Sequence, residues 1–374
     1  MEIFGSSENP LKLCTKESLV NNEEKNMYYN SFKPGVTWYD TDGNRIQAHA
    51  GYMFYENDTF YWYGENKEKS QSEWELWHWG IRLYSSKDLY NWKSEGIIIE
   101  PVTDDEAHSL YYNARLDRPH LLYNEKTKKY VMWAKVMTGR PDKLDYAIIL
   151  TADSIKGPYT LVVDHYNPNG HGFGDFEVVS DGERAYVIYE KPHTEMIISP
   201  LTEDYLGVEE GNFKSYFHFG HPPFIREAPA TFRYNGKIYM ITSGTTAKFP
   251  NPSESAVADD YMGDWVMQGI THVNDTKRTS FDSQISCIFK HPKKENLFIA
   301  MADRWLDDIP ADMPHICDIF NSIYNPNLEA MPFNMMETTK KNTSVAEYVW
   351  LPIEFEGDMP KIHWYDEWRW EDFD

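Results

Sequence analysis

Cysteine is nearly missing from this sequence. Cys14, Cys287 and Cys317 are odd in number, far apart and never in C-x-x-C spacing, which removes disulfide stapling and structural zinc as organising principles. Positive charge is scarce as well: 36 Lys and Arg stand against 59 Asp and Glu, a formal net charge of −23. A surface that acidic repels phosphate backbones and anionic lipid, so nucleic acid and membranes are set aside as partners, and neutral or cationic ligands remain. No apolar run approaches the roughly 20 residues that cross a bilayer. Met1 to Asn30 lacks the basic-then-apolar pattern of an export leader, so the sequence as written is expected to be cytoplasmic. Long amphipathic helical patterns are absent too, which leaves β structure.

Aromatic residues are what the chain has in excess, at 16%, with 13 Trp and 26 Tyr. Flat side chains pack well on pleated sheets. They also stack on the C–H faces of sugars, so a β-rich core and a saccharide cleft both account for the excess.

One pattern recurs: a turn, then a short apolar-aromatic strand. It appears at Phe60 to Glu65, Tyr130 to Ala134, Ala185 to Tyr189, Ile238 to Thr242 and Leu297 to Met301. Tyr61, Tyr130, Tyr186, Tyr239 and Phe298 hold matching places, spaced roughly 50 to 70 residues apart. Further strands follow within each unit, separated by turn residues. Repetition on that scale is what propeller blades look like. The reading is all-β, a five-bladed β-propeller over 35–374, with 1–34 as an extension packed on it. Residues near the innermost strands then meet at one end of a central channel.

Carboxylates in apolar or Gly/Pro-rich surroundings are the natural candidates for shifted acidity. Glu227 lies in Arg226-Glu227-Ala228-Pro229, ahead of the fourth hairpin. Asp175, in Gly172-Phe173-Gly174-Asp175-Phe176, and Asp117, in Leu116-Asp117-Arg118-Pro119, hold the same place before the third and second hairpins. The first unit has Gln47-Ala48-His49 there and the fifth Asp282-Ser283-Gln284, while Glu65 ends the first aromatic strand. Taken singly, each of these is more often structural, as a turn cap or a surface ion pair.

The run Asp40 to Gly51, followed by Tyr61-Trp62-Tyr63-Gly64-Glu65, resembles glycoside hydrolase family 43, in its exo-β-1,3-galactanase-like branch. Arg118-Pro119, Arg226-Glu227-Ala228-Pro229, Pro250-Asn251-Pro252, Ser283-Gln284 and Val349-Trp350-Leu351-Pro352 follow in the branch's order. The likeness covers roughly 35–370. It implies an inverting hydrolase, exo-acting on a neutral β-galactosidic oligosaccharide. It implies Glu227 as the general acid, Asp175 as the residue that tunes it and Gln284 as the holder of the attacking water. Glu65, Asp117, Thr246 and His49 map to substrate-binding positions. Most of the family carries a basic Asp in the first blade, where this chain has Gln47-Ala48-His49.

There are departures. Thr246-Ala247-Lys248 stands where the branch has Thr-Gly-Trp, and Asp117 where it has Glu. An insertion near 306–346 reads as a long loop with a short helix at 316–323, placed to wall off the pocket. Alternatives are a related α-L-arabinofuranosidase or β-xylosidase, or a non-catalytic carbohydrate-binding propeller. His218 with His221, and His165 with His171, lack a third donor, so no transition metal or other cofactor is expected. A calcium ion on the propeller axis is the one addition the resemblance brings. Trp74, Trp77 and Trp79 form either a stacking wall at the channel mouth or packing between blades.

Overall fold

The computed structural model describes residues 28–72, 76–140, 142–218, 220–306, 309, 313–333 and 341–374. Twenty strands form five separate four-stranded antiparallel sheets, each a simple meander. Blade one contains β1 (His49–Glu56), β2 (Thr59–Glu65), β3 (Ile81–Ser86) and β4 (Lys93–Ile99). Blade two contains β5 (Arg115–Asn124), β6 (Lys129–Met137), β7 (Tyr146–Ala152) and β8 (Thr160–Tyr166). Blade three contains β9 (Phe176–Ser180), β10 (Ala185–Lys191), β11 (Glu195–Pro200) and β12 (Lys214–Tyr216). Blade four contains β13 (Arg226–Tyr234), β14 (Lys237–Gly244), β15 (Glu254–Ala258) and β16 (Val266–Ile270). Blade five contains β17 (Gln284–Lys290), β18 (Phe298–Arg304), β19 (Glu347–Glu356) and β20 (Met359–Ile362). The chain is therefore a five-bladed β-propeller. No helix among the described residues is long and apolar enough to cross a membrane.

Strands β1, β5, β9, β13 and β17 touch one another in a closed ring. They line the channel, and the aromatic strands that mark the repeat stand second in each blade. The reason is burial. A second strand has a neighbour on each edge and another blade over each face, so β6 and β10 are buried almost throughout. A channel strand has polar positions facing the axis, such as His120 in β5 and Glu177 in β9, and its apolar signal is broken.

Four of the five channel strands carry a register shift near the channel mouth. The shifts fall between His49 and Tyr52, Asp117 and His120, Glu227 and Ala230, and Ile285 and Cys287. Ala50, Arg118 and Ala228 take positive φ there, at 45°, 50° and 51°. Proline explains two of the shifts: Pro119 and Pro229 have no N–H to give the ladder, and a bulge absorbs the loss. Such bulges re-aim side chains at the rims of sheets.

Each sheet comes from one continuous stretch, so closure does not use a strand exchanged between blades one and five. Instead Phe32 and Trp368 pair through both backbone groups, at 2.8 and 3.0 Å, and their rings stack at 4.4 Å. Beside them Trp62 meets Trp350 and Trp92 with centroids at 4.7 and 5.4 Å. Much of the aromatic excess goes into this seam. Residues 28–34 of the expected N-terminal extension sit against it, while 1–27 lie outside the described residues. The insertion leaves blade five between β18 and β19. It carries one helix, α1 (Ile316–Tyr324), whose Ile316, Ile319 and Phe320 pack against Phe249 and Phe333.

Candidate active site

A cavity of about 300 Å³ opens at the channel mouth. Every blade contributes to its wall. Glu65 comes from the end of β2, Asp117 and Arg118 from the β5 bulge, and Lys135 from β6 opposite Asp117. Asp175 immediately precedes β9, and Glu190 lies in β10. Glu227 lies on the β13 bulge opposite Ser243, and Gln284 begins β17.

Two cations organise these groups. Arg118 places Nε 2.9 Å from Asp175 Oδ2 and donates from Nη2 to Gln284 Oε1 at 2.8 Å. Lys135 Nζ bridges Asp175 Oδ1 at 2.5 Å and Asp117 Oδ2 at 2.9 Å. Gln284 then donates from Nε2 to Glu227 Oε1 at 3.2 Å and to the Ser243 hydroxyl at 2.8 Å. Asp175, Arg118, Gln284 and Glu227 are thus one contiguous chain of contacts. Glu65 belongs to a second group, with Lys67 Nζ 2.6 Å from its Oε2 and the Arg118 backbone N–H at 3.3 Å from its Oε1.

The carboxyls do not share one acidity. Burial pushes the Glu227 carboxyl well above its usual range, the charges of Asp175 and Glu190 push the same way, and Arg118 and Lys135 oppose without prevailing. Glu65 is raised too, first by burial, and its hydrogen bond with Asp117 adds to the rise. Asp117 moves the other way: burial alone would raise it, but Lys135, the hydrogen bond from Glu65 and Arg118 hold it far below the ordinary carboxylate range. Glu65 and Asp117 therefore form an acid–carboxylate pair, one carrying the proton and one the charge.

Of the seven residues singled out from the sequence, five line the cavity: Glu65, Asp117, Asp175, Glu227 and Gln284. His49 and Thr246 do not. His49 is fully buried between Asp303 at 3.2 Å and Gln47 at 3.1 Å, and burial lowers its pKa. Thr246 is fully buried as well; its hydroxyl donates to the Phe249 carbonyl at 2.6 Å and accepts from Asn251 Nδ2 at 2.6 Å. Residue-by-residue reading passed over Lys135, Lys67, Glu190 and Trp305. Lys135 carried a signal, being a charge at the end of an otherwise apolar strand.

Of the tryptophans flagged for stacking, Trp77 lines the cavity, Trp79 faces Lys69 at 3.4 Å, and Trp74 lies outside the described residues. Lys67 Nζ sits 4.3 Å from the Trp77 ring centroid, and Lys248 Nζ lies 5.3 Å from Trp77 and 5.5 Å from Trp305. Burial, then the neighbouring charge of Lys67, holds the Lys248 amine well below its usual pKa. Phe249, next to Lys248, is the residue on which the insertion packs, so the insertion braces this wall.

A calcium ion on the axis below the cavity would meet Glu177 and His120. Glu177 accepts from Tyr52 Oη at 3.3 Å, while its Oε2 and both ring nitrogens of His120 lack a hydrogen-bond partner among the described residues. Calcium takes roughly six to eight oxygen ligands. One carboxyl, raised to about 8 by burial, beside an imidazole lowered to about 3 by burial, does not supply that set. Among the described residues no group of three or more His, Cys, Asp or Glu is placed to hold a metal.

The sequence profile of glycosyl hydrolases family 43 matches residues 42–304. Two solved structures described as family 43 β-1,3-galactosidases resemble the chain. The first is 29% identical, with a TM-score of 0.75 over 92% of this chain and 65% of its own, so the chain spans under two thirds of that relative. The second, solved with galactodeoxynojirimycin, is 27% identical, with a TM-score of 0.72 over 91% of this chain and 100% of its own. An exo-β-1,3-galactanase from Phanerochaete chrysosporium, at 23% identity, shares the fold, with a TM-score of 0.70 over 90% of this chain and 68% of its own. No curated protein matches the sequence.

Proposed function

The chain belongs to glycosyl hydrolase family 43 and is a glycosidase; from that premise we propose that it is an exo-acting, inverting hydrolase of β-galactosidic, β-1,3-galactan-like oligosaccharides. The observation that carries the reading is the split between Glu227 and its neighbours. Glu227 faces the cavity and is held protonated by burial and by the charges of Asp175 and Glu190, while Asp175 is locked between Arg118 and Lys135. A carboxyl kept neutral near neutral pH is what a general acid needs.

In this reading Glu227 gives its proton to the glycosidic oxygen as the C1–O bond breaks. Water attacks C1 from the opposite face, and inversion follows. Gln284 orients that water through its amide. A neutral amide takes up no proton, so the proton the water sheds passes to solvent. Asp175, Arg118 and Lys135 fix the acid's surroundings. The Glu65–Asp117 pair offers one hydroxyl donor and one carboxylate acceptor to sugar hydroxyls. The likeness to two β-1,3-galactosidases supports the choice of sugar.

One observation favours a second reading, a glycosidase acting on another sugar. Lys67 and Lys248 occupy the faces of Trp77 and Trp305 where a sugar ring would stack. Hydrolysis of methyl β-1,3-galactobioside followed by proton NMR separates the two. Galactose appearing first as the α-anomer is expected. First release of the β-anomer would overturn inversion, and cleavage of arabinofuranosides or xylosides with none of galactosides would overturn the sugar.

A further inference from the structure

Blade two carries a second recess that the reaction does not use. It has a volume of about 640 Å³, and it lies at the end of β5, β6, β7 and β8 that also frames the catalytic cavity. Met137 lines both spaces. Arg115, in the recess, lies 5.6 Å from the ring of Trp77, in the cavity. The β6–β7 loop forms the rim between them, held by Thr138, whose backbone N–H donates to Asp145 Oδ1 at 2.7 Å. The two spaces are therefore neighbouring parts of one trough.

The side chains that line the recess are mostly cationic, unlike the molecule as a whole, although Asp142, Asp145 and Asp164 stand next to them in sequence and Asp164 Oδ1 lies 3.1 Å from His165 Nδ1. The wall holds Arg115, Arg140 and Lys143 against a single carboxylate, Glu106, in a chain of net charge −23. Arg140 has Asp142 at 3.3 Å, but both side chains are more than half exposed, and an exposed pair of that kind is worth little. Lys143 is exposed and makes no ion pair among the described residues. The far wall is a flat stack, His165 on Tyr146 with centroids at 4.2 Å and planes 18° apart. Tyr146 is fixed from behind by a hydrogen bond with the Ser109 hydroxyl at 3.0 Å.

We propose that this recess is an accessory saccharide subsite, and that it takes an anionic sugar, one bearing a carboxylate or a sulfate, on the part of the substrate that extends out of the catalytic cavity. The proposal rests on the glycosidase reading and adds the substrate's charge to it. Cations on the loop recognise the anionic group, and the His165–Tyr146 stack offers a flat face to the ring. The remaining surface repels the same anion, so the recess sets where the acidic sugar docks.

The test compares the wild type with an Arg140→Glu/Lys143→Glu variant on four substrates: an aryl β-galactoside, and galacto-oligosaccharides of one length that are neutral, uronate-bearing or sulfated. Wild type should favour one or both anionic oligomers over the neutral one through KM. The variant should lose about tenfold or more on them, with aryl galactoside turnover unchanged. That preference should shrink as salt is raised from low to about 0.3 M, because the loop charges are exposed. The uronate and sulfate arms identify the anion. Equal rates on neutral and anionic oligomers in wild type would overturn the subsite, as would a variant that slows all four substrates alike. Calorimetric binding of the uronate oligomer to the Glu227→Gln protein, with and without the two loop changes, reads the recess without turnover. If wild type cleaves no galactoside and loop-dependent binding persists, the galactosidase reading fails and the subsite stands; if that binding does not depend on the loop, the subsite fails.

Discussion

Glu227→Gln is the sharpest perturbation available, because it changes one proton and almost no shape. The variant amide retains an oxygen to accept from Gln284 Nε2, which lies 3.2 Å from Glu227 Oε1. What disappears is the donor. General acid catalysis contributes about 10²–10⁴-fold, or roughly 3–5 kcal/mol of barrier. The loss should fall toward the upper end, because no neighbour stands in: Glu65, the other cavity-lining carboxyl raised by burial, shares its proton with Asp117. Steady-state kinetics on a disaccharide and on an activated aryl galactoside measure it, the second losing much less because its leaving group needs little protonation. The pH profile carries the sign. Glu227 must be protonated to act and its pKa lies above the usual range, so wild-type kcat/KM falls as pH rises through that raised value. The variant should lose this alkaline limb on the aryl substrate. Near wild-type turnover of the disaccharide by Glu227→Gln would refute the assignment of the acid outright.

Gln284→Ala should slow the disaccharide and the aryl glycoside by similar factors, since water must be placed whichever group leaves; a selective loss on the disaccharide would count against that role. Lys135→Met should cost about 3–5 kcal/mol in urea unfolding, because it strands the buried charges of Asp117 and Asp175 that it now bridges. Glu177→Gln should make the protein's stability less sensitive to pH. Burial raises that carboxyl to about 8, so its favourable contribution is complete below its unfolded value of 4.5 and is lost as pH climbs to about 8. The variant's advantage should therefore grow from nothing at acid pH to at most roughly 5 kcal/mol, and a constant difference across that range would sink the argument.

The blade repeat was legible because second strands are enclosed on every side and must be continuously apolar. Channel strands hide themselves, since residues such as His120, Glu177 and Ser286 interrupt the apolar run with groups that face the axis. Asp117 and Glu227 were legible because they sit near Pro119 and Pro229, where the ladder bends, and Asp175 because it follows Gly174. At Gly174 a Cβ would lie 2.4 Å from Glu190 Oε2, so only glycine admits that carboxylate beside Asp175. Glu190 itself carried little local signal, and Lys135 only that of a charge late in an apolar strand. Each ends an ordinary-looking strand, and what it does depends on a residue one blade away. Thr246 shows the converse. Its place in the sequence matched a sugar-contacting position, but nothing in the local pattern told that Asn251 would claim its hydroxyl.

Separating an acid from a charged partner a few ångströms away requires the cations to be distributed unequally, and the bulges do this. The β5 bulge turns Arg118 toward Asp175 and Gln284, and Lys135, opposite it on β6, adds a second positive charge between Asp117 and Asp175. The β13 bulge turns Glu227 into the same cavity, where its direct neighbour is the neutral amide of Gln284. Positive charge thus collects on one side of the site, where it outweighs burial, and falls short of burial on the other, and paired carboxyls with opposed environments divide acid from base. The arrangement holds backbone at Arg118 and Ala228 in the left-handed region, at roughly 1–3 kcal/mol each. A closed ring of five sheets can hold that strain at its mouth, because each strained residue lies within a strand that is paired on both sides of it. The propeller's contribution to the chemistry is this tolerance: bent residues in three blades, Ala50, Arg118 and Ala228, set side chains around one cavity.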